Sequence, residues 1–283
     1  MKTALLTGKT GFVGQNVLPI LSKHFQMLAP TRAELDLRNI NSVRDYFMTH
    51  QIDIVFHCAN PNPTKNPQAD TADRMMDDSV RLFLNLYACR NLYEKMVYLG
   101  SGAEYDKQKD IINVKETECF RSPPRDSYGL AKYTINLLAD QSDNIYNLCL
   151  FACYGPGDHW SKFITHCIAC CMQHEDITIR QECRFDFVHV YDLATMMVWL
   201  GEHTPKYHMY NVSGGQHRFL SEIAAEVKKQ MGSASEIKIL NSGLNREYTA
   251  DGSRFIAESG LCPAVTLEHG ISLQIESERE SYK

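Results

Sequence analysis

Tyr128-Gly129-Leu130-Ala131-Lys132 places a phenol and an ammonium four residues apart. In a helix those two side chains share a face. A lysine held near a tyrosine, beside a cationic nicotinamide ring, lowers the phenol's pKa from ~10 toward working pH. Such a tyrosine gives its proton to a carbonyl oxygen as hydride arrives, or takes one in reverse. Alone, Tyr-x-x-x-Lys is usually a solvated helix face. Its weight comes from Leu99-Gly100-Ser101-Gly102-Ala103-Glu104-Tyr105, which reads as the carboxyl end of the preceding strand. Ser101 is placed there to hydrogen-bond the same carbonyl oxygen, although a strand-end serine is more often a turn former.

A dinucleotide is the partner these groups require, and the start of the chain offers a place for one. Thr7-Gly8-Lys9-Thr10-Gly11-Phe12-Val13-Gly14 follows a short apolar strand and opens a helix. Gly8 permits the tight turn, Gly11 admits the backbone to the phosphates, and Gly14 lets helix pack on strand. Thr10, Phe12 and Val13 complete the candidate cradle. The next strand runs Met27-Leu28-Ala29-Pro30-Thr31-Arg32, with no acid at its end to bind ribose hydroxyls. Arg32 is placed to pair with a 2′-phosphate, which favours NADP, while nearby Glu34 keeps NAD as the alternative. Asp36 and Leu37 would lie one loop further, over the adenine.

Behind these residues the chain alternates strands and helices. Strands are expected at Thr3–Thr7, Phe25–Pro30, Ile54–Cys58, Lys95–Gly100 and Tyr146–Phe151. Helices are expected at Gln15–Lys23, Asn41–His50 with Asn41 as cap, Asp73–Asn91 and Ser127–Asp140. That order predicts an α/β, doubly wound parallel sheet. The proline-rich loop Asn60–Pro67 follows a strand end, where ligands bind in open α/β sheets. Past Tyr154 the regularity breaks. Helices are read near Lys162–Gln173, Asp192–Gly201 and Leu220–Met231, a strand near Phe185–His189, a turn at Asn211–Gly215, and then a polar tail.

The 283 residues allow one large domain or a core with an added lobe. With 29 basic against 34 acidic residues the net charge is −5, which argues against a nucleic-acid binder. The Met1 start runs directly into the glycine loop, and no apolar run approaches the ~18 residues of a membrane span. A reduced, cytoplasmic protein is the expectation. Of ten cysteines, Cys58, Cys89 and Cys149 lie in apolar runs and read as core residues. His166, Cys170 and His174 would share a helical face. Zinc would need a fourth ligand at suitable spacing, so the stretch reads as a helix with buried thiols and no metal is expected.

Further motifs join the first three: His57-Cys58-Ala59-Asn60, Cys153-Tyr154-Gly155-Pro156-Gly157-Asp158, Arg184 to Asp192, Asn211-Val212-Ser213-Gly214 and Leu267 to Ile271. Together they resemble the extended short-chain dehydrogenase/reductase family of nucleotide-sugar epimerases, dehydratases and ketoreductases. Thr31–Leu35, Leu99–Ser101 and Tyr154–Pro156 look most like its GDP-fucose synthase-like 4-ketoreductases. The resemblance implies a Rossmann core over residues 1–155. A small carboxyl-terminal α/β substrate lobe over 156–283 follows, interleaved with returning core elements at about 184–212. It implies NAD(P), a nucleoside-diphosphate sugar, and Cys58, Ala59 and Asn60 beside the cofactor with Tyr128 and Lys132. It also implies a homodimer formed through the helices at 73–91 and 127–140.

Within such a family, dehydratases carry an acid pair after the active-site Ser/Thr. Gly102 and Ala103 stand there, so a dehydratase is disfavoured, and both become substrate contacts beside Ser101. Glu104 is one place off, and strand alternation points it elsewhere. Counting from Tyr154 places His166 at the family's histidine position, as a single base. Arg184 suits a diphosphate, since its guanidinium fork matches phosphate oxygens, with Arg246 and Arg254 as secondary candidates. Three positions depart from the family pattern: Asp78 for a common Asn, Cys149 for Arg, and Ala152 for Asn. The expectation is reduction of a 4-keto (deoxy) nucleotide sugar for polysaccharide biosynthesis. The alternatives are a 4-epimerase with tightly bound NAD and a non-catalytic dinucleotide-binding regulator.

Overall fold

Ala4, Leu5 and Leu6 are fully buried, and so are Ile54, Val55 and Phe56, as apolar runs covered on both faces must be. The computed structural model describes residues 1–61 and 70–281. The chain begins β1 (Thr3–Thr7), α1 (Phe12–Leu21), β2 (Gln26–Leu28), α2 (Ile40–Thr49), β3 (Ile54–His57) and α3 (Met75–Tyr87). It continues with β4 (Lys95–Ser101), β5 (Ile111–Val114), α4 (Ser127–Asp140), β6 (Ile145–Leu150), β7 (Ala152–Tyr154) and α5 (Phe163–Gln173). Next come β8 (Ile177–Glu182), β9 (Arg184–His189), α6 (Val190–Glu202), β10 (Met209–Val212), β11 (His217–Phe219) and α7 (Leu220–Met231). The chain closes with β12 (Ile237–Leu244), β13 (Tyr248–Ala250), α8 (Ser253–Ser259) and α9 (Leu267–Ser281).

Two compact units form. The first comprises residues 1–109, 116–150 and 194–211. Its six-stranded sheet has the order β10-β6-β4-β3-β1-β2, with parallel pairing from β6 through β2. This is the doubly wound Rossmann-type arrangement: strand order reverses beside β1, and the ends of β1, β3 and β4 carry the candidate site. One side of the core joins Leu5, Val43, Phe47, Val55, Phe83 and Tyr98. α2 is capped by Asn39, whose side chain accepts from Asn41 N–H at 3.0 Å, so the cap is not Asn41 itself. The expected long helix at 73–91 is α3 alone, flanked by 3-10 turns at Ala72–Arg74 and Arg90–Leu92. β2 is shorter than expected, because the chain turns at Pro30 into a loop capped by Glu34.

The second unit comprises residues 110–115, 151–193 and 212–283. The returning segment of the first unit is therefore 194–211, and β9 lies in the second. A sheet β11-β9-β13-β5, with β7 paired to β9, is accompanied by a parallel β12-β8 ribbon. Ile164, Cys167, Ile168, Ile179, Ile223 and Ile271 pack its core. The turn expected from Asn211 starts after Val212, since Asn211 and Val212 belong to β10. The polar tail holds β12, β13, α8 and α9: its polar residues are the exposed faces of real elements.

Candidate active site

Gly8 takes φ +77°, and a Cβ there would come within 2.7 Å of Ala59 N at the end of β3. Gly11 N–H donates to Gly8 O at 3.0 Å, closing the turn. A Cβ at Gly14 would stand 2.2 Å from Gly8 O, so only glycine lets α1 lie against the loop. Gly11 caps α1 without a side-chain bond, and the first turn holds no acid. The first-turn amides at Phe12 and Val13 and the positive end of the helix are thus suited to an anion. The end of β1 is pinned to that of β3: Thr7 Oγ1 is 2.8 Å from His57 Nδ1 and accepts from Ala59 N–H at 3.2 Å. Burial, then the Lys132 charge, pushes His57 down to about 3, so its ring stays neutral. Burial likewise pushes the Cys58 thiol up to about 12. Asn60 Nδ2 donates to Pro61 O at 3.0 Å, and residues 62–67 of the proline-rich loop lie outside the described residues.

Around Arg32, Asp36 and Leu37 the structure adds partners the sequence did not reveal. Arg32 donates to Asp70 at 3.1 Å, and its guanidinium is half exposed. Arg38 bridges Asp70 and Asp78, both at 2.8 Å, and Arg74 joins Asp78 at 3.2 Å. Asp78, at the common Asn position, is therefore a buried ion-pair partner. Glu34 accepts from Thr31 N–H and Oγ1 at 2.7 and 2.8 Å, so it caps its own turn. Asp36 accepts from Arg38 N–H at 3.0 Å. Leu37 points into the core, and its carbonyl accepts from Asn85 at 2.7 Å.

The Ser101, Tyr128 and Lys132 side chains are brought together at the end of β4. A Cβ at Gly129 would meet Ala103 O at 2.5 Å, so the glycine after Tyr128 lets α4 settle on the turn that follows Ser101. Asp126 caps α4 through Gly129 N–H at 2.8 Å. Tyr128 is hydrogen-bonded with Ser101, and Lys132 Nζ donates to Leu99 O at 2.8 Å. Burial pushes the Tyr128 phenol up, opposed by the Ser101 bond and joined by the charge of Glu104. Burial lowers Lys132, opposed chiefly by the charge of Glu104.

Strand alternation would point Glu104 elsewhere, and the structure turns it back toward Ser101. Ser101 begins a 3-10 turn over Gly102–Glu104, which ends strand alternation, and the Glu104 side chain folds back to accept from Ser101 N–H at 2.9 Å. The spacing Ser-x-x-Glu is a capping-box signature and was visible in the sequence.

His166, Arg184 and Arg254 belong to the second unit. His166 lies on α5, with Nε2 3.6 Å from Cys170 Sγ. Cys167, Cys170 and Cys171 are packed in that unit's core, and no metal-binding cluster occurs among the described residues. Arg184 is exposed over the Phe219 ring at 4.7 Å, and Arg254 lies on α8.

The profile of the NAD dependent epimerase/dehydratase family matches residues 4–213. The chain belongs to this family. Among epimerase/dehydratase-family relatives, GDP-L-fucose synthase of Azorhizobium caulinodans is 26% identical over 221 residues, covering 70% of each chain. The dTDP-4-dehydro-6-deoxy-D-allose reductase of a Streptomyces species is 26% identical over 275 residues, covering 84% of each. A crystal structure of GDP-L-fucose synthetase from Naegleria fowleri bound to NADP superposes with a TM-score of 0.87. It is 16% identical and covers 99% of this chain and 93% of its own. No helix among the described residues is long and apolar enough to cross a membrane.

Proposed function

We propose that this protein reduces the 4-keto group of a nucleoside-diphosphate (deoxy) sugar with NADPH. The observation that carries the reading is the Ser101–Tyr128 pair, hydrogen-bonded at a strand end whose next two positions, Gly102 and Ala103, hold no acid. The similarity to a synthase and a reductase of nucleotide sugars supports it. The glycine turn and the uncapped start of α1 fit a pyrophosphate, and Arg32 is our candidate for the 2′-phosphate. When bound, the nicotinamide supplies the hydride that reaches C4.

Ser101 holds the substrate carbonyl oxygen and Tyr128 donates its proton to that oxygen, so the C=O bond becomes a secondary alcohol. A phenol pushed up by burial is protonated at neutral pH, as a proton donor must be. Lys132, tied to Leu99 O, stabilises the tyrosinate left behind. Arg184 is our candidate for the diphosphate, Arg254 a second one, and His166 a single base. We also read the protein as a cytoplasmic homodimer serving polysaccharide biosynthesis. Exposed Leu84 on α3 and Leu137 on α4 support the dimer, which light scattering tests.

Purified protein given a 4-keto-6-deoxy sugar nucleotide and NADPH should lose absorbance at 340 nm. No loss beyond controls would sink the reading. Turnover of a non-keto sugar with no net oxidation would identify the 4-epimerase instead.

A further inference from the structure

Glu104 is wholly buried, and a carboxyl in such a place needs donors and a counter-charge. Ser101 N–H donates to Oε1 at 2.9 Å, Asn147 Nδ2 donates to Oε2 at 2.9 Å, and the Cys119 thiol lies 3.9 Å from Oε2. Burial pushes the Glu104 carboxyl up, and these donors, with the Lys132 charge, oppose it in favour of the ionised form. The cation acting on it is Lys132, and Glu104 is the foremost group holding Lys132 charged against burial. β4 makes room for the carboxyl: a Cβ at Gly100 would lie 2.3 Å from Glu104 Oε1.

We propose that Glu104 is a positioning residue of the reaction. Its buried carboxylate fixes the Ser101 turn and holds Lys132 as a cation one helical turn from Tyr128. This deepens the reductase reading and rests on it. Glu104's charge pushes both Lys132 and Tyr128 up, so removing it makes both give up their protons at lower pH. The other titratable groups facing these three are Tyr98, Cys119, Cys149, Cys58, His57 and Asp126. Burial pushes Tyr98 and the thiols up and His57 down, so those five stay neutral near pH 7.

Glu104→Gln tests the charge while keeping the shape. Its amide oxygen still accepts from Ser101 N–H. Asn147 Oδ1, buried and without a partner among the described residues, is available to the new amide once Asn147 flips. The alkaline limb of kcat should move down by about one pH unit, with KM for the sugar unchanged. A merely structural role would lower kcat evenly across pH. A second measurement needs no activity: the urea midpoint of Lys132→Met, alone and with Glu104→Gln added. Lys132→Met strands the carboxylate, so adding Glu104→Gln should raise the midpoint. An unmoved limb, or a midpoint that fails to rise, overturns the inference. If Glu104→Gln alone does not fold, the two Lys132→Met proteins decide. If the unaltered protein reduces no 4-keto sugar, the proposed function fails and the urea pair still decides the role of Glu104.

Discussion

Lys132 Nζ donates to the carbonyl oxygen of Leu99 at 2.8 Å, tying the helix that carries Tyr128 to the strand end that carries Ser101. Leu99 lies two residues before Ser101, and Lys132 lies four after Tyr128. That bond therefore helps to set the offset of the two elements beside the candidate proton donor. The Ser101–Tyr128 hydrogen bond closes the same link from the other side.

Tyr128→Phe removes the proposed proton donor and keeps the ring. We expect kcat to fall by about 10²–10⁴-fold, with NADPH affinity held within about twofold. Stopped-flow reduction and fluorescence titration read the two quantities separately. Unchanged turnover would remove Tyr128 from the reaction, and no turnover in either protein, with NADPH still bound, would point to the non-catalytic regulator.

Gly14→Ala should abolish cofactor binding, because its Cβ would sit 2.2 Å from Gly8 O, a backbone atom with nowhere to go. The loop or the helix must shift, and the anion site shifts with it. Calorimetric titration with NADPH should show no saturable heat; tight binding would refute the cradle.

Arg32→Ala should weaken NADPH by about tenfold and leave NADH unaffected. Asp70 is buried but keeps Arg38 at 2.8 Å in the variant, and the lost Arg32 side chain is half exposed, so stability should change by only about 1 kcal/mol. Equal loss for both cofactors would remove Arg32 from the 2′-phosphate.

His57 predicts an acid limb of stability. Its folded pKa, about 3, lies below the ordinary 6.5. Between those values the unfolded chain holds the extra proton, so the stabilisation is complete above about pH 6.5 and lost as pH falls toward 3. The slope is about 1.4 kcal/mol per pH unit for this one group. Urea unfolding at pH 6.5 and 4.5 should therefore show a shallower acid loss in His57→Asn than in the unaltered protein. Equal slopes would contradict it.

What backbone geometry and apolar runs dictate is legible in the chain alone. Gly8 and Gly14 announce a turn that side chains there would block, and Ala4–Leu6 and Ile54–Phe56 announce strands covered on both faces. α4 was legible to its ends because Asp126 caps it and its apolar face repeats at helical spacing. Long-range polar pairing was not legible. Nothing near Arg32 shows that Asp70 will claim it, and Asp78 gives no sign of its two arginines. Glu104 was misread because alternation was carried past Ser101, where the chain had already left the strand.

The order in which the strands enter the sheet bears on how the protein is made. β10, at residues 209–212, forms the edge beside β6, and Asn211 accepts from Tyr105 at 2.8 Å and donates to Glu116 at 2.9 Å. A nascent chain therefore leaves the ribosome with its catalytic layer short of a strand until most of the second unit's first segments have been synthesised. Vectorial folding from the amino terminus must wait for that edge, and a stalled or prematurely terminated product leaves the outer edge of β6 unpaired and open to wrong partners.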